Sequence, residues 1–459
     1  MNERVDVGRD VEVDIAVVGA GPGGMAAAVA ARSAGRSVVV LDEQPRPGGQ
    51  IYRGIENATP ALRGVLGTDY AAGAAPVDAL RASGAHYVPG AAVWQITRER
   101  ELHYLQDGAA RRLRAGRVIL CMGAIERPMP MPGWTLPGVM TAGAAQILLK
   151  SSAVAPAGPV ALAGCGPLLY LLAWQLRRAG VPVRAVIDTT DWRAYARALP
   201  LLPGALREWR LLAKGMRLLA ALRGDGTAVY GGAQALAVEG DEAARAIRFI
   251  AGGRAHRVDA SLILLHQGVV PNTHASMALR AAHRWDDAQL CWVPVTHETG
   301  ELAGLPGVFV AGDGAGIIGA QACAVSGRIA GLAAAGNHAA PAEIAALLAS
   351  LRRTRAARRY LDRLFRPLPS LRVPADDVIV CRCEEVTAGE LRRLVRAGCE
   401  GPNQMKAFTR CGMGPCQGRQ CAVTVSELIA AERGVPVEQV GHLRIRPPLK
   451  PITLGELAT

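Results

Sequence analysis

Lysine is almost missing from this sequence: of 52 basic residues only four are lysines, so the net charge of +13 against 39 acidic residues is carried by arginine. Such a charge would suit nucleic acid or anionic lipid if it clustered on one face. An Ala- and Arg-rich, Lys-poor composition is equally the mark of GC-rich coding, and no nucleic-acid partner is expected. No uncharged apolar run of about 18 residues occurs, which excludes a membrane-spanning helix and leaves only peripheral membrane contact open. The first residues, MNERVDVGRDVEVD, are charged where a secretion signal would be basic and then apolar, so a cytoplasmic location is expected. Ten cysteines are too few for a disulfide scaffold, and none are spaced C-x-x-C, which excludes thioredoxin-like dithiol chemistry. H-E-x-x-H, a P-loop and a Ser-His-Asp set are absent too, and His266, at the end of an apolar strand, reads as a satisfied turn residue and not as a base. Aromatics make up only 4%.

What is present is an ordered globular composition, half apolar with 53 glycines over 459 residues. At about 150 residues per domain this length predicts roughly three domains. Apolar runs and helical periodicity predict a strand at 13–19, a helix at 21–34 and a strand at 37–41, a βαβ unit. A second such unit is predicted at 159–163, 168–179 and 183–187, followed by a strand at 261–265. Strands at 117–121 and 308–311, with a helix at 320–335, return the chain to the first unit. The expected organisation is a discontinuous first domain, 12–130 and 300–345, and a second nucleotide-binding-like domain, 131–299. After them come a basic linker helix within 346–374, a cysteine-rich domain at 375–432 and a tail at 433–459 that carries no motif. In the linker, Leu351, Tyr360, Leu361, Leu364 and Phe365 are the expected buried positions.

Gly19-Ala20-Gly21-Pro22-Gly23-Gly24 falls where strand becomes helix, the context that a G-x-G-x-x-G dinucleotide fingerprint requires. Gly19 permits the tight turn, Gly21 lets backbone approach a pyrophosphate, and Gly24 lets the helix pack closely, with free N–H groups at the helix start facing the anion. Asp42, 23 residues after Gly19, is placed for a ribose hydroxyl, with Glu43 as fallback. Asp313, after a short strand and beside Gly312, could accept hydrogen bonds from a polyol. The Gly312-Asp313 segment, and the turn at Gly123 after strand 117–121, resemble the second flavin motif and the A-T-G turn of the two-dinucleotide-binding flavoproteins, a glutathione-reductase-like α/β fold. The resemblance favours FAD at the first site. In the second unit, Gly164 and Gly166 are kept but Leu169 replaces the third glycine, where it is expected to hold the helix off the strand. Asp188 could still meet a ribose there, and NAD(P) or ATP stays open for that site.

Five cysteines crowd one C-terminal stretch: Cys381, Cys383, Cys411, Cys416 and Cys421. Four thiolates would hold a [2Fe-2S] cluster or a zinc ion. The stretch Gly412-Met413-Gly414-Pro415-Cys416-Gln417-Gly418-Arg419-Gln420-Cys421 resembles bacterioferritin-associated-ferredoxin-like domains. That resemblance implies Cys381, Cys383, Cys416 and Cys421 as ligands of a [2Fe-2S] cluster, with Cys411 spare. Lone buried thiols are expected at Cys121, Cys165, Cys291, Cys323 and Cys399.

The phrases 41–50 (with Gly49 and Gln50 at its end), 123–128, 132–139 and 266–272 together resemble the α-type subunits of heteromeric amino-acid and opine dehydrogenases, such as D-hydroxyproline dehydrogenase, octopine and nopaline oxidases and hydrogen cyanide synthase. The resemblance implies an FAD- and [2Fe-2S]-containing subunit, with Gly49 and Gln50 among the flavin contacts. Electrons would arrive from amine oxidation on a separate flavin-containing β subunit that carries the substrate site. A small third subunit, and FMN at a subunit junction, are further implications. Two other expectations compete: an NAD(P)H-dependent flavin reductase using its own [2Fe-2S] centre, and a redox-sensing nucleic-acid-binding protein.

Overall fold

Valine-rich runs with no polar alternation form strands buried on both faces, as parallel sheets between helices require. In the computed structural model, which describes residues 11–336 and 340–458, two such sheets dominate. The arm up to Asp10, expected to be charged and unlike a leader, lies outside the described residues, as do residues 337–339.

The first sheet orders its strands His86–Val88, Val38–Leu41, Val11–Val18, Ala109–Leu120, Glu101–Gln106, Ala92–Ile96. Its first four strands run parallel, and the last two fold back antiparallel as a meander. Strand Val308–Val310 joins this sheet from far along the chain, pairing Val310 with Leu120. In register, Val18, Leu41, Leu120 and Val310 end at one edge, where ligands of open parallel sheets bind. Helix Pro22–Ser33 crosses over from the first strand and packs against helix Ala320–Ala334 at very short range. A Cβ on Gly327 would lie 1.9 Å from the carbonyl oxygen of Gly23, and one on Gly331 2.4 Å from that of Ala27.

The second sheet is wholly parallel, in the order Ala228–Tyr230, Val183–Asp188, Val160–Cys165, Leu262–Gln267, Val139–Thr141. A three-stranded antiparallel sheet, Gln234–Gly240, Ala244–Ala251 and Arg254–Asp259, covers one side. Between strands Val183–Asp188 and Ala228–Tyr230 comes a helical excursion, Trp192–Ala198 to Trp209–Gly224.

The linker is helical from Pro341 to Leu364, starting ahead of the expected 346–374, because Pro341 supplies a good first helical position. Leu351 and Leu364 are buried as expected, Tyr360, Leu361 and Phe365 only half so, and Ala357 takes the remaining contact. The cysteine-rich unit has a short hairpin, Ile379–Cys381 with Val386–Thr387, and helices Ala388–Arg396, Pro402–Thr409 and Ala422–Arg433 around its own core. Thr387 and Glu390 close a capping box on the first helix. The tail, read as motif-free, has a structural part: Leu443, Ile445 and Leu449 enter the core of the first sheet. No helix among the described residues is long and apolar enough to cross a membrane.

Candidate functional site

The glycine turn after the first strand is built by exclusion. Gly19 adopts φ +98°, and a Cβ there would sit 2.4 Å from the Cys121 carbonyl oxygen; one on Gly24 would sit 1.8 Å from that of Gly19. Gly21, at the helix start, has the Gly49 Cα 3.7 Å from where its Cβ would sit, and no side chain caps the helix amides. Loop Gly48-Gly49 forms the opposite rim: Gly48 N–H donates to the Ala20 carbonyl (2.8 Å), and a Cβ on Gly49 would lie 2.7 Å from the Gly21 Cα. Only backbone lines this wall, as a pyrophosphate between chain and helix needs.

Three further segments close the crevice. Gly312 stands against the Gly23 turn, and Gly314 against Gly123. Asp313 accepts from the N–H groups of Ile318 (2.8 Å) and Gly319 (3.1 Å), which fixes the turn into helix Ala320–Ala334. Asp42 is buried and accepts from the N–H of Ala20 (2.5 Å) and of Gln44 (2.7 Å). Its carboxylate thus braces the glycine turn, and burial pushes its pKa up. Glu43, the fallback, forms an ion pair with Lys450 of the tail. Gln50 is exposed, while its carbonyl accepts from Lys150 Nζ (3.1 Å). A backbone-lined groove with acids at two ends fits an extended dinucleotide such as FAD.

Lys150 had no signal in the sequence. It is buried on helix Ala142–Ser152, also donates to Gln146 Oε1 (2.9 Å), and belongs to a chain of amides running through Gln175 to the Leu66 carbonyl. Burial pulls its pKa from 10.5 down to about 7. Below pH 7 folded and unfolded chains both hold the proton, and the fold bears the full cost of a buried cation. Between about pH 7 and 10.5 the unfolded chain holds more protons, so stability rises with pH. Urea unfolding at pH 6.5 and 9.5 should show wild type gaining on Lys150→Met by an amount on the order of 3 kcal/mol. A difference independent of pH would refute the depressed pKa.

The second glycine turn is equally tight, with a Cβ on Gly164 falling 1.7 Å from the His266 carbonyl oxygen. Leu169 is fully buried in the core of its own unit with Leu162 and Leu172. Asp188 is already engaged: one oxygen accepts from Tyr170 Oη, the other from the Thr190 N–H (2.7 Å). Tyr170, next to Leu169 on the helix, is a residue the fingerprint could not flag. Nearby, His266 Nδ1 lies 2.7 Å from Glu126 Oε1, both largely buried, and Glu126 also accepts from the Gly143 N–H (2.8 Å). This pair ties strand Ala124–Glu126, just before the second unit, to the second sheet.

In the C-terminal unit the buried sulfurs of Cys381, Cys411 and Cys421 all lie within 4.8 Å of one another. Hydrogen bonds from the Cys411 and Cys421 thiols hold Cys381 down to about 2 and in turn push Cys411 and Cys421 up, so without a metal one thiolate is shared among the three. Cys383, exposed, lies beside Cys416, and a Cβ on Gly414 would come within 2.3 Å of the Cys383 Cβ. The structure thus brings Cys411, the residue read as spare, into the buried group with Cys381 and Cys421, and sets Cys383 and Cys416 at its solvent side. Five soft sulfur donors in one place fit a thiolate-bound metal centre. By contrast, Cys121, Cys165, Cys291, Cys323 and Cys399 are buried outside this cluster, and burial pushes Cys121, Cys165 and Cys291 up to about 12.

The two sites touch through a short connection. Asn272 donates its N–H to the Gly123 carbonyl (3.0 Å), and two residues on, His274 Nε2 meets the carbonyl of Gln417 (3.0 Å), next to Cys416. Leu443 from the tail lies over Gly412 and Gly418 of the cysteine loop, Arg419 donates to the Leu449 carbonyl (2.6 Å), and the Leu449 N–H donates to that of Trp94 (2.7 Å). On the other flank, Trp134 donates its indole N–H to the Ile379 carbonyl (2.8 Å).

Comparison with known proteins agrees with this architecture. Residues 13–339 match the model of the pyridine nucleotide-disulphide oxidoreductases, and residues 377–459 that of the sarcosine oxidase A3 domain. The chain is 46% identical to the A-type subunit of opine oxidase from Agrobacterium tumefaciens (strain Ach5), over 97% of its own length and 91% of the relative's. It is 32% identical to the HcnB subunit of hydrogen cyanide synthase from Pseudomonas aeruginosa, covering 95% and 96%. Among solved structures, L-proline dehydrogenase from P. horikoshii superposes with a TM-score of 0.74 at 19% identity, over 98% of this chain and 80% of that one, a likeness of fold.

Proposed function

This chain belongs to the pyridine nucleotide-disulphide oxidoreductase family and, over nearly its whole length, to the group formed by the A-type subunits of the opine oxidases, and from that premise we propose that it is the electron-transferring subunit of its complex. It is an FAD-dependent oxidoreductase and one component of a heteromeric enzyme that oxidises amines of the opine and amino-acid class. In our reading Gly19, Gly21, Gly24, Gly49, Gln50, Gly123, Gly312 and Asp313 hold FAD, and Asp42 meets the ribose while bracing the turn. Four of Cys381, Cys383, Cys411, Cys416 and Cys421 hold a [2Fe-2S] cluster. Amine oxidation takes place on a flavin-containing partner subunit. When bound, the flavin accepts an electron pair and the iron-sulfur centre passes electrons singly.

The observation that carries this reading is the contact between the sites. The Gly123 turn and the Cys416 loop are joined through Asn272 and His274 by two hydrogen bonds and a two-residue step of backbone. A structural metal clasp would need no such link to the flavin turn. His274 is buried, and burial lowers its pKa to about 4, so the ring stays neutral and keeps one N–H for the Gln417 carbonyl. Tyr170 weighs against a self-sufficient NAD(P)H-dependent reductase, because a side-chain hydroxyl occupies one oxygen of Asp188, whereas Asp42 is held by backbone amides alone.

Anaerobically purified chain should contain about one FAD with two iron and two sulfide, and give a rhombic EPR signal on reduction with dithionite. Zinc in place of iron, with no such signal, would sink the electron-transfer role and leave the C-terminal unit as a clasp.

A further inference from the structure

Of the sixteen large apolar side chains exposed among the described residues, eight fall between Trp192 and Met216, in the helical excursion of the second unit. Monomer surfaces rarely concentrate apolar area in this way without an occupant. Helix Trp192–Ala198 turns Ala194 and Ala198 onto the linker helix at Leu364. Trp192, Tyr195 and Leu199, at i, i+3 and i+7, therefore form the outer stripe, and Trp192 is 73% exposed. Helix Trp209–Gly224 buries only Leu222 of its sixteen residues. Trp209 (57% exposed) and Met216 (67%) lie seven apart on one outer stripe, with Leu212 between them at i+3.

Basic residues flank both stripes. Arg210, Lys214 and Arg217, at i, i+4 and i+7, run beside Trp209 and Met216, with Lys214 paired to Asp69 and the two arginines left free of ion pairs among the described residues. Arg193, Arg207, Arg210 and Arg217 are exposed and make no ion pair among the described residues, and the guanidinium carbons of Arg193 and Arg210 lie over the rings of Trp192 (5.6 Å) and Trp209 (5.9 Å). Two convex apolar stripes, each with tryptophan at its start and unpaired arginine alongside, match what helices lying in a membrane interface present: rings and leucines at the acyl boundary, guanidinium groups among anionic headgroups.

We propose that this face seats the protein on an anionic lipid surface as a peripheral, non-spanning contact. The charge selects anionic over zwitterionic lipid, and the two stripes supply the insertion that charge alone would not. The proposal stands apart from the electron-transfer reading, since neither the glycine turns nor the cysteines take part in it.

Co-flotation of the full flavin-loaded chain with phosphatidylglycerol/phosphatidylcholine vesicles tests it against phosphatidylcholine alone. Wild type should float with the anionic vesicles and remain at least tenfold less bound to the zwitterionic ones. Trp192→Ala/Trp209→Ala should lower anionic partitioning about tenfold or more with flavin content unchanged, and Arg210→Gln/Arg217→Gln should weaken it and reduce its salt dependence. Two outcomes overturn the proposal: no flotation of wild type at low salt, or equal flotation of the double tryptophan variant. A third does so as well, namely a stable dimer or protein complex lost in the tryptophan variant while vesicles are ignored, which would make the face a protein interface.

Discussion

Replacing Cys421 or Cys381 by serine is expected to leave the protein without its C-terminal metal, with iron content falling from about two to none and no EPR signal on reduction. Both sulfurs are buried and both belong to the group within 4.8 Å, so on the proposed reading each would be a ligand whichever of the remaining cysteines complete the set. Cys421 also starts helix Ala422–Arg433, whose residues Val425, Leu428 and Ile429 form the core of that unit. Loss of the metal should therefore lower the unfolding midpoint of this unit as well, since binding energy at such a site is folding energy. Cys411→Ser then separates two ligand sets. Iron retained assigns Cys383 and Cys416; iron lost assigns Cys411. Full iron content in both Cys381→Ser and Cys421→Ser would remove the metal centre from this account.

Gly24→Val should produce a folded protein with less than a tenth of the wild-type flavin, read from absorbance near 450 nm. The first carbon of any side chain at this position would fall 1.8 Å from the carbonyl oxygen of Gly19. Helix Pro22–Ser33 would have to move away from its strand and carry its free amides out of reach of a phosphate. Gly64→Ala is the control. It lies in helix Pro60–Leu66 with nothing within 4 Å of an added carbon, and replacing a helical glycine by alanine there should cost nothing. Undiminished flavin in Gly24→Val would show that the glycine turn is not the dinucleotide cradle.

Much of the architecture could be read from local pattern. Strands buried on both faces appear as unbroken valine and isoleucine runs, and glycine turns between strand and helix have few alternatives, so both βαβ units stand at Val11–Leu41 and Val160–Asp188. What escaped depends on partners distant in sequence. Nothing around Lys150 announces that the carbonyl of Gln50, a hundred residues earlier, will accept its hydrogen bond. Tyr170 reads as one more apolar helix residue until strand Val183–Asp188 brings Asp188 against its hydroxyl. Spacing alone does not say which three of five cysteines converge, because loop Gly412–Gly418, with four residues at positive φ counting Arg410, can turn any of them inward. His266 is satisfied, as its place at a strand end suggested, but by a carboxylate 140 residues away.

Strand Val308–Val310 completes the sheet begun at Val11–Val18, setting Val310 opposite Leu120, 190 residues earlier in the chain. During synthesis the entire second parallel sheet emerges before the first can close, and Asp313 arrives only after it. The growing chain must therefore keep the apolar edge of Ala109–Leu120 from mispairing while a complete neighbouring unit folds beside it. On the proposed reading the cofactor site is therefore completed late, when Asp313 and helix Ala320–Ala334 appear, and a ribosome stalled within the second unit would hold a nascent protein with only the glycine-turn half of that site.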